Sequence, residues 1–512
     1  MSGLKFVFLF LFLLLRSVSA QCLQVQAQGA KLPSRAVTFD GTKKALLSST
    51  VALATGQLTS LVLFASRQGI GRAEKLILHH GPVCKATAIA LLSLAYCVQP
   101  DLSKGPATLI TSPSSSSSSS SSFTSNFSPR RQLARWSQVA VGVSLKAPIA
   151  LTGPAGEMGA AMSRAVSSFP IFRSLTSTEI NALVVAGAAA GVASNLDLPL
   201  TGIFFALEVY GRMLPPDDDH DHYRKGHLNP KVIKPFLLSV LCAVSSLATT
   251  KYLRKTLGYG LAVSAHPFSA ASYSTSNQLL REFPAFVVLG LATSLISLLY
   301  LQIRNSSAAA FQSLTFLPYQ LRPVIGMIVL MLTVKKSGVS DFGLSGGIKI
   351  LNELLQNSVE SSFWDPAIIS NRLISRVFVT GFCLASGILG GLVAPVLFMG
   401  SSLGALTRYA NTRLFPTASL SSGSVYILAG GAAMLGITFR APIMAMIMAY
   451  ELTLSINSHV APVVAISVLI AAKSIDWFDK HLFNLGTFKK GQSRRGFFGS
   501  PGVIPAAPVA FP

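Results

Sequence analysis

Charged residues are scarce in this 512-residue chain: 12% are Asp, Glu, Lys or Arg, against about 25% in ordinary soluble domains. Acids are the rarer sign, 19 against 42 Lys and Arg, which leaves a formal net charge of +23. Such a surplus suits a nucleic-acid partner when it gathers into a basic patch or stripe, and no stripe with interleaved aromatics is present. Before Glu157 the acids are Asp40, Glu74 and Asp101, so much of the excess lies at the amino-terminal end. The remainder flanks apolar segments in short groups such as Lys335-Lys336 and Arg494-Arg495, an ordinary orientation signal beside membrane helices. Cysteine is sparse as well. Cys22, Cys84, Cys97, Cys242 and Cys383 are dispersed, with no metal spacing and no disulfide framework, which leaves them as small buried apolar side chains.

Half of the chain is hydrophobic. Stretches at 45–66, 283–303, 378–406 and 425–452 reach the roughly 20 residues that a helix needs to cross a bilayer. Shorter runs at 236–250, 324–334 and 461–472 mark the cores of further spans. The stretches at 378–406 and 425–452 are too long for one helix and contain Gly and Pro, so each is expected to hold broken or re-entrant pieces. Interrupted backbone at membrane depth survives only inside protein or beside a wet cavity. The expected class is therefore all-α: a polytopic membrane protein built like a transporter or channel, not a simple anchor.

Residues 1–20 read as a signal peptide, with Lys5, an apolar run at 6–15 and the small residues Ser17-Val18-Ser19-Ala20. Residues 21–44 are basic and nearly free of acid, like a transit segment. Together they read either as a two-part plastid presequence or as a plain signal for the endomembrane system. The serine run at 114–122 has nothing apolar to pack and forms a loop or linker.

The chain also resembles itself. Ala186-Gly187-Ala188-Ala189-Ala190 is followed by Pro199 and Glu208; Ala429-Gly430-Gly431-Ala432-Ala433 is followed by Pro442 and Glu451, each 243 positions later. A second echo sets Pro154, Met158 and Gly159 against Pro395, Met399 and Gly400, 241 positions later. Two echoes in the same order indicate a duplicated, inverted-repeat scaffold whose binding site lies where half-helices of the two copies meet. Gly153-Pro154 and Ala394-Pro395 each put a proline at a helix start. Free N–H groups and the positive dipole end at such a start suit an anion.

These residues resemble the voltage-gated chloride channel (CLC) family of anion channels and proton-coupled exchangers. Residues 186–208 resemble its alanine-rich segment ending in a glutamate, 386–404 its G-x-F-x-P anion-binding segment, and 426–453 its late T-R-A-P…E-L-T segment. Weaker echoes are Arg322-Pro323 and 343–347. The resemblance covers residues 136–475 and makes them a CLC-like membrane domain, preceded by the signal peptide (1–20) and a transit-like, low-complexity region with one or two apolar segments (21–135), and followed by a tail (476–512). It implies a homodimer with one pore per subunit, a chloride-like anion as cargo, no enzymatic activity, no cofactor and no metal. The anion site it implies is made by Thr152, Gly153, Pro154 and Ala155 from one copy and Gly391, Leu392, Val393, Ala394 and Pro395 from the other.

The departures from the family bear on mechanism. Its first anion motif, G-S-G-I-P, is not found before residue 136. Its gating glutamate precedes Gly-Pro; here either Thr152 stands in that place or a short stretch before Gly153 is missing. Val393 replaces the aromatic of G-x-F-x-P, and Val209 occupies the position of the exchangers' inner proton glutamate. The pore tyrosine has no counterpart, the Asp476-Trp477 neighbourhood being nearest, and paired CBS domains are lacking. Passive conduction is expected; the alternatives are a proton/chloride exchanger whose glutamates were lost from an incomplete gene model, or a non-conducting homologue. Glu157 falls at a family polar position and not at the gate, while Glu208 and Glu451, one per copy, suit structural roles at helix ends. Lys146 reads as a snorkelling side chain. The acidic and histidine-rich run at 217–222 reads as a solvated loop.

Overall fold

The computed structural model describes residues 36–79, scattered positions between 132 and 150, 151–211, 230–257, 276–314, 318, 321–337, 365–415, 420–453 and 460–483. Regular structure among these residues is helical, with one isolated antiparallel bridge between Ala150 and Gly391. In chain order the helices are α1 (Ala36–His79), α2 (Thr152–Ser167), α3 (Ser177–Leu196), α4 (Pro199–Phe205), α5 (Pro230–Leu257), α6 (Ser276–Ser313), α7 (Arg322–Ser337), α8 (Pro366–Ala385), α9 (Val393–Leu414), α10 (Gly423–Thr438), α11 (Pro442–Thr453) and α12 (Val460–Phe478). A π-helical turn, Ala206–Tyr210, continues α4, and another, Asp479–Phe483, continues α12.

Among the described residues, six segments within α1, α3, α5, α6, α8 and α12 are long and apolar enough to cross a membrane. Leu237, Val244, Leu332 and Ile374 are each more than half exposed, whereas Ser246, Ser294, Ser297 and Ser467 are wholly buried. Apolar residues outside and small hydroxyl residues between helices are the pattern of a bundle immersed in lipid. The chain is a multi-pass, all-α membrane protein. Both over-long apolar stretches are broken as expected: α8 ends at Ala385 and α9 starts at Val393, and α10 ends at Thr438 before α11 starts at Pro442.

Local chemistry explains several helix boundaries. Thr176 and Glu179 form a reciprocal capping box that starts α3. The second oxygen of Glu179 accepts a bond from Lys234 of α5 at 2.7 Å. Asp365 caps α8 by accepting from the Ala367 N–H at 2.9 Å, with Pro366 following as first helical residue. Asp197 ends α3 in the left-handed region (φ 64°), as Arg440 does after α10 (φ 52°).

Asp197 and Arg440 are themselves 243 positions apart, and the repeat is visible throughout the packing. α2, α3 and α4 correspond to α9, α10 and α11. Gly159 of α2 meets the Gly187 backbone of α3 so closely that a Cβ on either would overlap the other's carbonyl, and Gly400 meets Gly430 likewise. The correspondence extends to helices outside these triplets. Ser60 of α1 bonds the carbonyls of Gly56 and, on α5, Ser246; Ser294 of α6 bonds those of Gly290 and, on α12, Ala471. The apolar stretch at 45–66 thus lies in a helix packed along α2, α3 and α5.

Candidate functional site

The two copies meet at the Ala150–Gly391 bridge. Ala150 N–H donates to the Gly391 carbonyl at 2.6 Å, and Gly391 N–H donates to the Ala150 carbonyl at 2.7 Å. These residues are counterparts at the 241 spacing, so a local two-fold axis passes between them. α2 and α9 begin two residues later in each copy, at Thr152 and Val393. Their amino-terminal ends therefore converge on one point: a Cβ on Gly391 would lie 2.8 Å from Gly153 N and 3.3 Å from Pro154 Cδ. Pro154 and Pro395 both occupy the third helical position, not the first, so the missing proline N–H is one that no helix could have bonded. The ladder starts with Ala155 N–H to Leu151 at 2.8 Å and Val396 N–H to Leu392 at 3.0 Å. The N–H groups of Thr152, Gly153, Val393 and Ala394 precede it. They carry the positive dipole ends of two helices pointed at each other.

A cavity of about 40 Å³ adjoins this junction, larger than the ~10–15 Å³ needed for one water. Gly153, Pro154, Gly391, Leu392 and Val209 line it, as do Glu157, Arg135, Tyr210 and Phe439. Of the remaining sequence-predicted residues, Thr152, Val393, Ala394 and Pro395 are buried at the same helix starts outside the lining, and Ala155 is wholly buried with its N–H in the ladder. The Thr152 hydroxyl accepts from the Asn195 side-chain amide at 3.0 Å. Asn195 is in turn held by Arg67 of α1, which donates to both its side-chain oxygen and its carbonyl. The position matched to the family's gate is tied to the end of α3.

Arg135 and Glu157 are charged cavity residues that motif matching left without a site role. Their ion pair measures 3.1 Å, with both side chains about nine-tenths buried. A signal for Arg135 was available, because Arg376 lies at the same 241 spacing. Tyr210 enters through the π-turn that follows α4, a kind of irregularity often found at functional sites. Its ring centroid lies 6.0 Å from that of Phe205, which is 5.8 Å from that of Phe439.

Glu208 and Glu451 lie away from the cavity and do a different job. Glu451 accepts from the Leu200 N–H at 2.8 Å and from the Thr201 N–H and hydroxyl at 2.6 Å, at the start of α4. Glu208 accepts from the Met444 N–H at 2.7 Å and the Ile443 N–H at 3.4 Å, at the start of α11. Each copy thus caps a helix of the other. Trp477 is exposed on α12 and the cavity lining does not include it. Cys242 and Cys383 are free and buried. Lys146, Cys22, Cys84, Cys97, the serine run, the 217–222 loop and the 343–347 echo lie outside the described residues.

The family model described as voltage gated chloride channel matches residues 105–474. Chloride channel protein CLC-f of Arabidopsis thaliana is 22% identical over 325 residues, which are 62% of this chain and 38% of that protein. A putative chloride channel protein ClcB-like of Ralstonia nicotianae is 27% identical over 64% of this chain and 68% of its own length. The chain spans well under half the length of the first of these relatives. The crystal structure of a slow cyanobacterial Cl-/H+ antiporter superposes with a TM-score of 0.61 at 16% identity, covering 84% of this chain and 95% of that one. With two broken-helix copies joined on a local two-fold axis, and with the family match covering most of its length, this chain belongs to the voltage gated chloride channel family.

Proposed function

We propose that the protein carries a small inorganic anion, chloride or one like it, across a membrane by passive conduction. The observation that supports this most directly is the convergence of the α2 and α9 amino-terminal ends beside a cavity at the local two-fold axis. Backbone N–H groups and helix dipoles hold an anion without a covalent or catalytic step. Passive conduction follows from Thr152 and Val209 at the family's two glutamate positions, since neither side chain gains or loses a proton in the physiological range. The protein would work as a homodimer, as the resemblance implies. Its amino-terminal 44 residues suit delivery to a plastid envelope or thylakoid, or to an endomembrane.

Proton-coupled exchange is the second reading, favoured by the similar solved structures, which include a Cl-/H+ antiporter and a fluoride/proton antiporter. Liposomes containing the purified protein and loaded with chloride separate the two. Conduction predicts chloride efflux that collapses to the chloride equilibrium potential without moving protons. Sustained uphill proton movement driven by a chloride gradient would establish exchange instead.

A further inference from the structure

The cavity carries one ion pair, and the repeat shows that the scaffold does not require it. Counterparts of Arg135 and Glu157 at the 241 spacing are Arg376 and Phe398. Arg376 is also buried, 3% exposed, and its guanidinium lies 5.6 Å from the centre of the Phe398 ring. Both copies therefore place a buried arginine against the sixth residue of the half-helix. One copy meets it with an aromatic ring and the other with a carboxylate. Packing alone is satisfied by the ring, so the carboxylate at 157 serves something that packing does not.

We propose that Glu157 and Arg135 form a proton-sensitive charge pair that sets the anion affinity of the cavity. With Glu157 ionised, its charge neutralises Arg135 and repels an anion held at the Gly153 and Leu392 side of the lining. Protonated Glu157 leaves the guanidinium to attract the anion together with the helix dipoles. The charged and titratable groups that face Glu157 are Arg135, from the segment before α2, and the Tyr210 phenol, from the π-turn after α4. Arg67 of α1 is directed instead to Asn195, and Glu179 of α3 to Lys234. α9 presents Leu392 and the bridge residue Gly391 to the cavity. In a site this poor in water a unit charge acts on a neighbouring anion far more strongly than it would in bulk solvent, so the ionisation of one carboxyl is enough to shift binding tenfold or more.

This inference rests on the reading of the cavity as an anion site, and its test separates the two. Chloride is titrated calorimetrically into the full-length protein in detergent from about pH 7 to about pH 4, the range in which a carboxyl protonates. Chloride efflux from liposomes is followed in parallel. Wild-type affinity should rise as the pH falls. Glu157→Gln should bind chloride at least tenfold more tightly at neutral pH, with no pH response. The Arg135→Gln/Glu157→Gln double variant should lack the pH response and bind less tightly than Glu157→Gln. It carries the test if the single variant does not fold. Chloride efflux with wild-type-like affinity and pH response in these variants would overturn the charge pair alone. Absence of both binding and efflux in every form would overturn the anion site and the pair with it.

Discussion

Glu451 shows how much one side chain does for this fold. Its carboxylate takes three hydrogen bonds from the first turn of α4, a helix whose amino-terminal N–H groups have no partners within the helix. Removing it in Glu451→Ala leaves buried donors unsatisfied, at a cost of about 2 kcal/mol or more. Glu208→Ala removes two bonds from α11 at a less buried position, so its cost should be smaller. Thermal unfolding of the detergent-solubilised variants should rank them in that order below the wild type. Equal unfolding temperatures would show that these caps are dispensable. The sequence placed both glutamates at helix ends, but the exchange between copies is a long-range contact that no local pattern encodes.

At the scale of elements, α2 against α3 and α9 against α10 are contacts between backbones. Gly159→Ala would drive a methyl group into the Gly187 carbonyl, and overpacking of this kind costs about 1–3 kcal/mol. Gly69, exposed on α1 with nothing within 4 Å of where a Cβ would stand, is the contrasting case. There Gly69→Ala should stabilise by up to about 1 kcal/mol through helix propensity alone. Loss of unfolding temperature in the first variant and a small gain in the second would be the expected pair of results. The glycines themselves were legible as repeat markers. The sequence holds a further echo: Gly56, Thr59 and Ser60 in α1 match Gly290, Thr293 and Ser294 in α6. Its spacing of 234, unlike 243 or 241, hides it from a search at one fixed offset, because the connecting segments differ in length between copies.

For the whole molecule, the local two-fold axis fixes direction. α2 and α9 start together and run apart, so the chain leaving α2 near Phe169 and that leaving α9 near Phe415 should emerge on opposite sides of the membrane. Both residues are about half exposed, 49% and 57%. Single cysteines at these positions, in a background with the five native cysteines replaced, should react with a membrane-impermeant maleimide from opposite faces of sealed vesicles. Labelling of both from one face would contradict the inverted arrangement.

Composition and spacing by themselves determined that this chain is helical, membrane-embedded, duplicated and restarted as half-helices near Gly153-Pro154 and Ala394-Pro395, because hydrophobic length and repeat offsets are properties of the order of residues. Only the tertiary structure decided which groups share the cavity. Arg135 and Glu157 are 22 positions apart with no regular spacing between them, and Tyr210 reaches them through a π-turn. Thr152, singled out by its place beside Gly-Pro, is instead bonded to Asn195. A motif names positions along a helix, whereas the direction in which each side chain points is set by the helices packed around it.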